Sequence, residues 1–323
     1  MDNSTKPSTR LQYLPISFFA VVMGLAGLTI AWEKAQQLAG VGLHINAVLG
    51  GTTLTVFVVL LMLYAAKLIR YRDAVLQELR HPIKLNFFPT ISISLLLLAI
   101  VFLPTGSPVC EVLWFVGAVM HLLFTLYVVS IWMHHDGFEI QHMNPAWFIP
   151  AVGNVLVPVA GVPLGHAEAS WFFFSVGMVF WVLLMTIIFY RMLFHHPIDE
   201  KLMPTLFILI APPAVGFIAY LRLMGGIDGF ARVLYYVALF LTLLLLTQIP
   251  RFLKLRFFLS WWAYSFPLAA ISIASMAMFE HSSAVPFAWI AGILLTLLSA
   301  VVAVLLFRTA MAIARHRICV PEH

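Results

Sequence analysis

Residues 261 to 270 read WWAYSFPLAA and sit inside a hydrophobic run that continues from 257 to 279. About 20 apolar residues cross the ~30 Å hydrocarbon core of a bilayer as one α-helix, yet this run carries Phe266 and Pro267 at its middle. Proline in a helix interior removes a backbone hydrogen bond and clashes with the preceding turn. Within a membrane it is tolerated where protein or a water-filled cavity satisfies the carbonyl it frees. The run therefore predicts a kinked membrane helix that faces protein or a cavity rather than lipid.

The rest of the chain has the same character. Of 323 residues, 63% are hydrophobic and 10% charged, with a mean hydropathy of +1.01, against about 45–50% and about 25% in soluble domains. Runs of membrane-crossing length fall at 14–32, 46–68, 85–103, 109–133, 145–163, 169–191, 204–222, 231–249, 257–279 and 287–308. The fold class is thus an all-α integral membrane protein of ten transmembrane helices, a single domain over 14–308 with tails at 1–13 and 309–323. The first ten residues are polar and lack a small-residue cleavage site before the first run, so that span is expected to be retained.

The net charge of +5 does not point to nucleic acid, because the basic residues lie in short gaps between apolar runs instead of forming one patch. Their distribution speaks of topology. The tails and the gaps after even-numbered spans hold 15 of the 18 Lys and Arg residues, and only Lys34, Arg222 and Arg232 fall on the other side. Cytoplasmic loops are enriched in Lys and Arg, so both termini are expected in the cytoplasm. Cys110 and Cys319 then lie on opposite sides of the membrane and are not expected to pair. No Lys, Arg, Asp or Glu is left for the bilayer midplane, where ion-coupled pumps bury a titrating group. A passive path or weakly coupled transport is the expectation.

Proline distribution suggests a repeat. Odd-numbered spans carry Pro15, Pro89, Pro150, Pro158, Pro212, Pro213 and Pro267, whereas Pro108, Pro250 and Pro286 only flank even-numbered ones. Five hairpins, each a kinked helix followed by a straight one, fit this pattern, with the kinked helices lining a path. The odd spans also hold small and mildly polar residues, including Gly24, Thr90, Ser92, Asn154, Gly216 and Ser265. Hydroxyls and a carboxamide can donate to an anion; close helix packing is the competing reading of each. On a helix the neighbours of Phe266 three and four residues away include Ala263, Ala269 and Ala270. A bulky ring among methyl groups, one residue before a kink, has the form of a movable plug, and ordinary packing, the role of most of the 27 phenylalanines, is the competing reading.

Three stretches carry a family likeness. WWAYSFP at 261–267, NPAWFIPAVGNVLVP at 144–158 and HPIKLNFFP at 81–89 resemble the ninth, fifth and third helices of the tellurite-resistance/dicarboxylate transporter family, which includes bacterial TehA and the plant guard-cell slow anion channels. The likeness extends over essentially the whole chain and identifies it as a bacterial member. It implies five hairpins in quasi-fivefold symmetry around a central pore, a homotrimer with one pore per subunit, and a bacterial inner membrane location. It also implies a phenylalanine gate at Phe266, with Phe88 beside Pro89 as a second candidate. The function it implies is passage of small inorganic anions, with no cofactor and no metal. The alternative is a proton-coupled carrier or exporter of dicarboxylate, sulfite or tellurite-related oxyanions.

That alternative needs a titrating group on the path, and Glu33, Glu111, His121 and Arg222 are the candidates. His121 falls in the middle of the fourth span, where an interhelical hydrogen bond is the simpler role. A metal site from His134, His135, His142, His195 and His196 competes with ordinary interfacial histidines; His44, His166 and His281 lie across the membrane from them. HExxH, GxSxG and phosphate-cradling glycine loops are missing from the sequence, so no enzyme is expected.

Overall fold

The computed structural model describes residues 10–42, 45–134 and 137–320. The N-terminal tail to residue 9 with Lys6, His44, His135 and the last three residues therefore lie outside the described residues. Every regular element among those described is helical. Among the described residues nine helices are long and apolar enough to cross a membrane: α1 (Ile16–Ala39), α2 (Ile45–Arg70), α4 (Lys84–Thr105), α5 (Val109–His134), α7 (Ala167–Phe194), α8 (Met203–Met224), α9 (Gly229–Leu246), α10 (Leu259–Ser282) and α11 (Val285–Ala314). A short amphipathic helix, α3 (Arg72–Arg80), follows α2, and a shorter apolar helix, α6 (Pro145–Gly161), precedes α7.

The proline-bearing spans are not single kinked α-helices. Each of α1, α4, α8 and α10 opens with a 3-10 stretch and becomes α-helical only at Phe19, Thr90, Ala211 and Ser265 respectively. In α6 the two forms alternate, with 3-10 turns at Pro145–Trp147 and Gly153–Leu156. Pro158, Pro212, Pro213 and Pro267 then fall in the first turn of an α segment, where an α-helical N–H has no partner to lose. That placement answers why a membrane helix tolerates Pro267 at its middle. Because 3-10 turns rise about 2.0 Å per residue against 1.5 Å, α6 covers about 29 Å despite its short count.

Burial separates two layers. Between 56% and 78% of the apolar window is buried in α1, α4, α8 and α10, against 28% to 39% in α2, α5, α7, α9 and α11. Every residue of α6 is buried. The inner helices close on themselves: α1 packs on α4, α4 on α6, α6 on α8, α8 on α10, and α10 back on α1. Each outer helix then lies against the inner helix before it and the next one around, as α5 does against α4 and α6. The outer helices turn large apolar side chains away from the protein, among them Leu126, Val182, Phe240 and Phe307.

Lipid tails are as apolar as leucine, so helix association relies on close packing and interhelical hydrogen bonds. Both are visible. A methyl group on Gly24 of α1 would meet Ser265 Oγ of α10 at 2.3 Å, and one on Gly177 of α7 would meet Val155 of α6 at 2.3 Å. Trp262 Nε1 of α10 donates to Thr309 Oγ1 of α11 at 3.0 Å, and Trp114 Nε1 of α5 donates to the Val157 carbonyl of α6 at 2.9 Å.

Candidate functional site

Two cavities lie inside the inner ring, each lined by all five inner helices. The first, about 270 Å³, sits where those helices begin and is bounded by residues such as Met23, Thr90, Val152, Pro212 and Ala263. The second, about 660 Å³, sits where they end, bounded by Ile30, Leu97, Val159, Ile218 and Ala270. Three side chains belong to both walls: Leu156 of α6, Val215 of α8 and Phe266 of α10. All three are apolar, so the partition between the cavities carries no charge and no hydrogen-bonding side chain.

Phe266 owes its position to the switch from 3-10 to α geometry one residue earlier. Ser265 Oγ donates to the Trp262 carbonyl at 2.6 Å, and the absence of side chains at Gly24 and Gly27 lets α1 lie directly against this turn. The ring is half-buried. Ala263 lines the first cavity and Ala270 the second, so the methyl-lined face extends to both sides of the ring. Ala269 instead packs towards Gly27.

The other residues singled out in the sequence fall into two groups. Pro15, Thr90, Pro212 and Pro267 line the first cavity. Phe88, Pro89, Ser92, Pro150, Asn154, Pro213, Gly24, Gly216 and Ser265 line neither of the two and stand in the packing behind the walls. Phe88 meets Tyr64 edge-on at 6.3 Å, and its neighbour Phe87 reaches the first cavity. The buried hydroxyls of Thr90, Ser92, Ser94, Ser265 and Ser275 all donate to carbonyls three or four residues earlier in their own helices. Such back-bonding bends a helix and removes the hydroxyl proton from other use.

His121 of α5 is fully buried, with Nδ1 2.9 Å from Ser92 Oγ. That oxygen already donates to the Pro89 carbonyl, so the imidazole supplies the proton. One turn along, Thr125 Oγ1 donates to the Pro150 carbonyl at 2.7 Å and accepts from Asn154 Nδ2 at 3.0 Å. The group joins α4, α5 and α6 behind the cavity wall. Among the carrier candidates, Glu33 and Arg222 line the second cavity, while Glu111 pairs with His166 at 3.1 Å. Among the described residues no three His, Cys, Asp or Glu side chains assemble in metal-binding geometry, and His135 lies outside them.

Charge is confined to the far ends of the cavities. Glu33, Lys34, Arg222 and Glu280 edge the second, with Lys34 paired to Glu280 at 2.5 Å. Glu78, Lys84 and Lys201 edge the first. Glu78 Oε2 accepts from Lys67 Nζ at 2.9 Å and from the Tyr64 hydroxyl at 2.7 Å. Sequence reading missed this buried pair: Lys67 ends an apolar run and Glu78 sits in a polar segment, and nothing in either context signals contact.

Comparison with known proteins identifies the family. The sequence profile of the voltage-dependent anion channel family, SLAC1, matches residues 13–310. The chain belongs to this family. It is 30% identical over 285 residues to the S-type anion channel SLAH3 of Arabidopsis thaliana, covering 85% of this chain and 44% of that protein. It is 28% identical over 285 residues to the tellurite resistance protein TehA homolog of Haemophilus influenzae, covering 86% of this chain and 84% of the relative. An uncharacterized transporter of Methanocaldococcus jannaschii, MJ0762, is 27% identical over 287 residues, 80% of this chain and 82% of its own length. The chain spans about half the length of the plant channels SLAH3 and SLAH2. SLAC1-family membership sets it among multi-pass membrane channels and transporters rather than enzymes.

Proposed function

We propose that the chain is a channel for small monovalent anions, with a pore through both cavities and the Phe266 ring as its gate. The observation that carries this reading is the position of Phe266 on the wall of both cavities, together with Leu156 and Val215. In the same reading α6 crosses the membrane as a tenth span, and the five inner-outer helix pairs repeat in quasi-fivefold symmetry. The excess of Lys and Arg on one side orients the first cavity to the cytoplasm, with both termini there, in a bacterial inner membrane. A homotrimer rests on family resemblance alone.

The chemistry is modest. No lysine or arginine reaches the partition, so an anion binds weakly there and leaves quickly. The α segments of the inner helices begin towards the first cavity, and the positive ends of their dipoles favour an anion there. Selection then follows ease of dehydration and favours chloride or nitrate over sulfate. The competing carrier of dicarboxylate, sulfite or tellurite-related oxyanions, driven by protons, would need a titrating group between the cavities. None of the three shared side chains titrates.

Anion current against voltage, in planar bilayers with chloride as the main anion, tests the channel. Phe266→Ala should raise the current about tenfold or more over wild type, equivalent to a barrier lowered by about 1.4 kcal/mol. Folded, inserted protein that conducts in neither form refutes the pore, and proton-coupled uptake into liposomes would then test the carrier.

A further inference from the structure

We propose that the connection between α9 and α10, which reads IPRFLKLRFF at 249–258, is a docking surface for anionic phospholipid headgroups. It joins two membrane-crossing helices, α9 ending at Leu246 and α10 beginning at Leu259, and so lies at the level of the membrane surface. Arg251, Lys254 and Arg256 are exposed, and none of them forms a salt bridge among the described residues. Asp and Glu are missing from residues 229 to 279, and the flanking Asp228 and Glu280 sit at the far ends of α9 and α10.

The other connections at this end of the molecule mix charges: Asp73 and Glu78 lie in α3, Glu139 before α6, and Asp199 and Glu200 before α8. Lys and Arg orient membrane helices with little regard to nearby Asp and Glu. Topology therefore accounts for the three cations but not for their separation from anions.

The apolar side chains of the segment point two ways. Phe252 is buried, its ring edge-on to Phe207 of α8 at 5.2 Å and to Tyr264 of α10 at 5.8 Å. Leu253, next in the chain, is 76% exposed, and Ile249 is exposed as well. An exposed leucine on a span faces hydrocarbon, but Leu253 lies beyond the spans and among cations. A phospholipid suits both features: its phosphate meets the basic groups, and its acyl region receives the leucine. Phe252 ties that surface to the start of α10, the helix that carries Phe266.

Native mass spectrometry of the purified full-length protein, titrated in detergent with phosphatidylglycerol or phosphatidylcholine, reads the affinity for each lipid. Phosphatidylglycerol should bind about tenfold or more tightly. Each of Arg251→Gln, Lys254→Gln and Arg256→Gln should weaken it roughly fivefold, the share of one cation at an anionic surface, and leave phosphatidylcholine within about twofold. Leu253→Ser should weaken both lipids about threefold or more. A phosphatidylglycerol with a diazirine near the headgroup end of its acyl chain should cross-link within residues 249–258.

Equal affinity for the two lipids, or cross-links only elsewhere, would overturn the proposal. So would an equal loss of phosphatidylglycerol in Arg72→Gln/Arg80→Gln and in Arg251→Gln/Arg256→Gln, because the attraction would then be diffuse surface charge. Binding that ignores Leu253→Ser and is displaced by inorganic phosphate would make this a site for the free anion and would overturn it too. The readout needs no current, so a failure here leaves the pore standing, and a protein that does not conduct leaves this surface standing.

Discussion

A single atom decides how close α1 and α10 lie. Gly24 has room for a hydrogen but not a methyl group, which would stand 2.9 Å from the Trp262 ring as well as 2.3 Å from Ser265 Oγ. Gly24→Ala should therefore destabilise the protein by about 1–3 kcal/mol, the usual cost of overpacking. Gly292, with nothing within 4 Å of its added methyl, is the control. Thermal unfolding of the purified variants checks the pair, with Gly292→Ala unchanged or slightly raised. Phe266 is singled out in the sequence by the alanines around it and the proline after it, but only the family resemblance makes it a gate candidate instead of a packing residue. Leu156 and Val215 are not singled out, since each is one more aliphatic residue in a run of them. Only the meeting of α6, α8 and α10 marks them out.

Proline placement, at the level of elements, distinguishes inner from outer helices in the sequence itself. The 3-10 stretches were not legible. A 3-10 turn differs from an α turn by one residue of hydrogen-bond offset, and packing in the ring decides between them. One outer helix is capped by a side chain. Asp228 precedes α9, and its carboxylate accepts from the Ala231 N–H at 2.8 Å and the Tyr220 hydroxyl at 2.6 Å. These bonds, the backbone one first, hold the Asp228 carboxyl below the usual carboxylate range. A lowered folded-state value stabilises above the unfolded value of about 4, and the contribution is lost as pH falls through the folded one. Asp228→Ala should accordingly lower the melting temperature at pH 7, with the difference from wild type narrowing below about pH 4. A constant difference from pH 7 to pH 3 would assign the loss to packing.

For the whole molecule, five inner helices close a ring around two cavities with charge only at their far ends. A path of this kind cannot recover the hydration energy of a divalent anion. Reversal potentials of the Phe266→Ala channel should therefore order nitrate at or above chloride and both well above sulfate; a sulfate permeability equal to chloride would contradict an apolar partition. Sequence alone determined the membrane class, nine membrane-crossing helices among the described residues and the basic asymmetry between the gaps, because hydropathy and charge act locally and need no partner. It also marked Phe266 and the prolines, whose backbone consequences are local too. Tertiary structure alone decided that Thr90 reaches a cavity wall while Ser92 and Ser265 stand behind it. It alone joined Leu156, Val215 and Phe266, and brought Lys67 to Glu78 across two elements. Those are relations between faces of different helices, and a face acquires its role only when the ring closes and a partner covers one side of it.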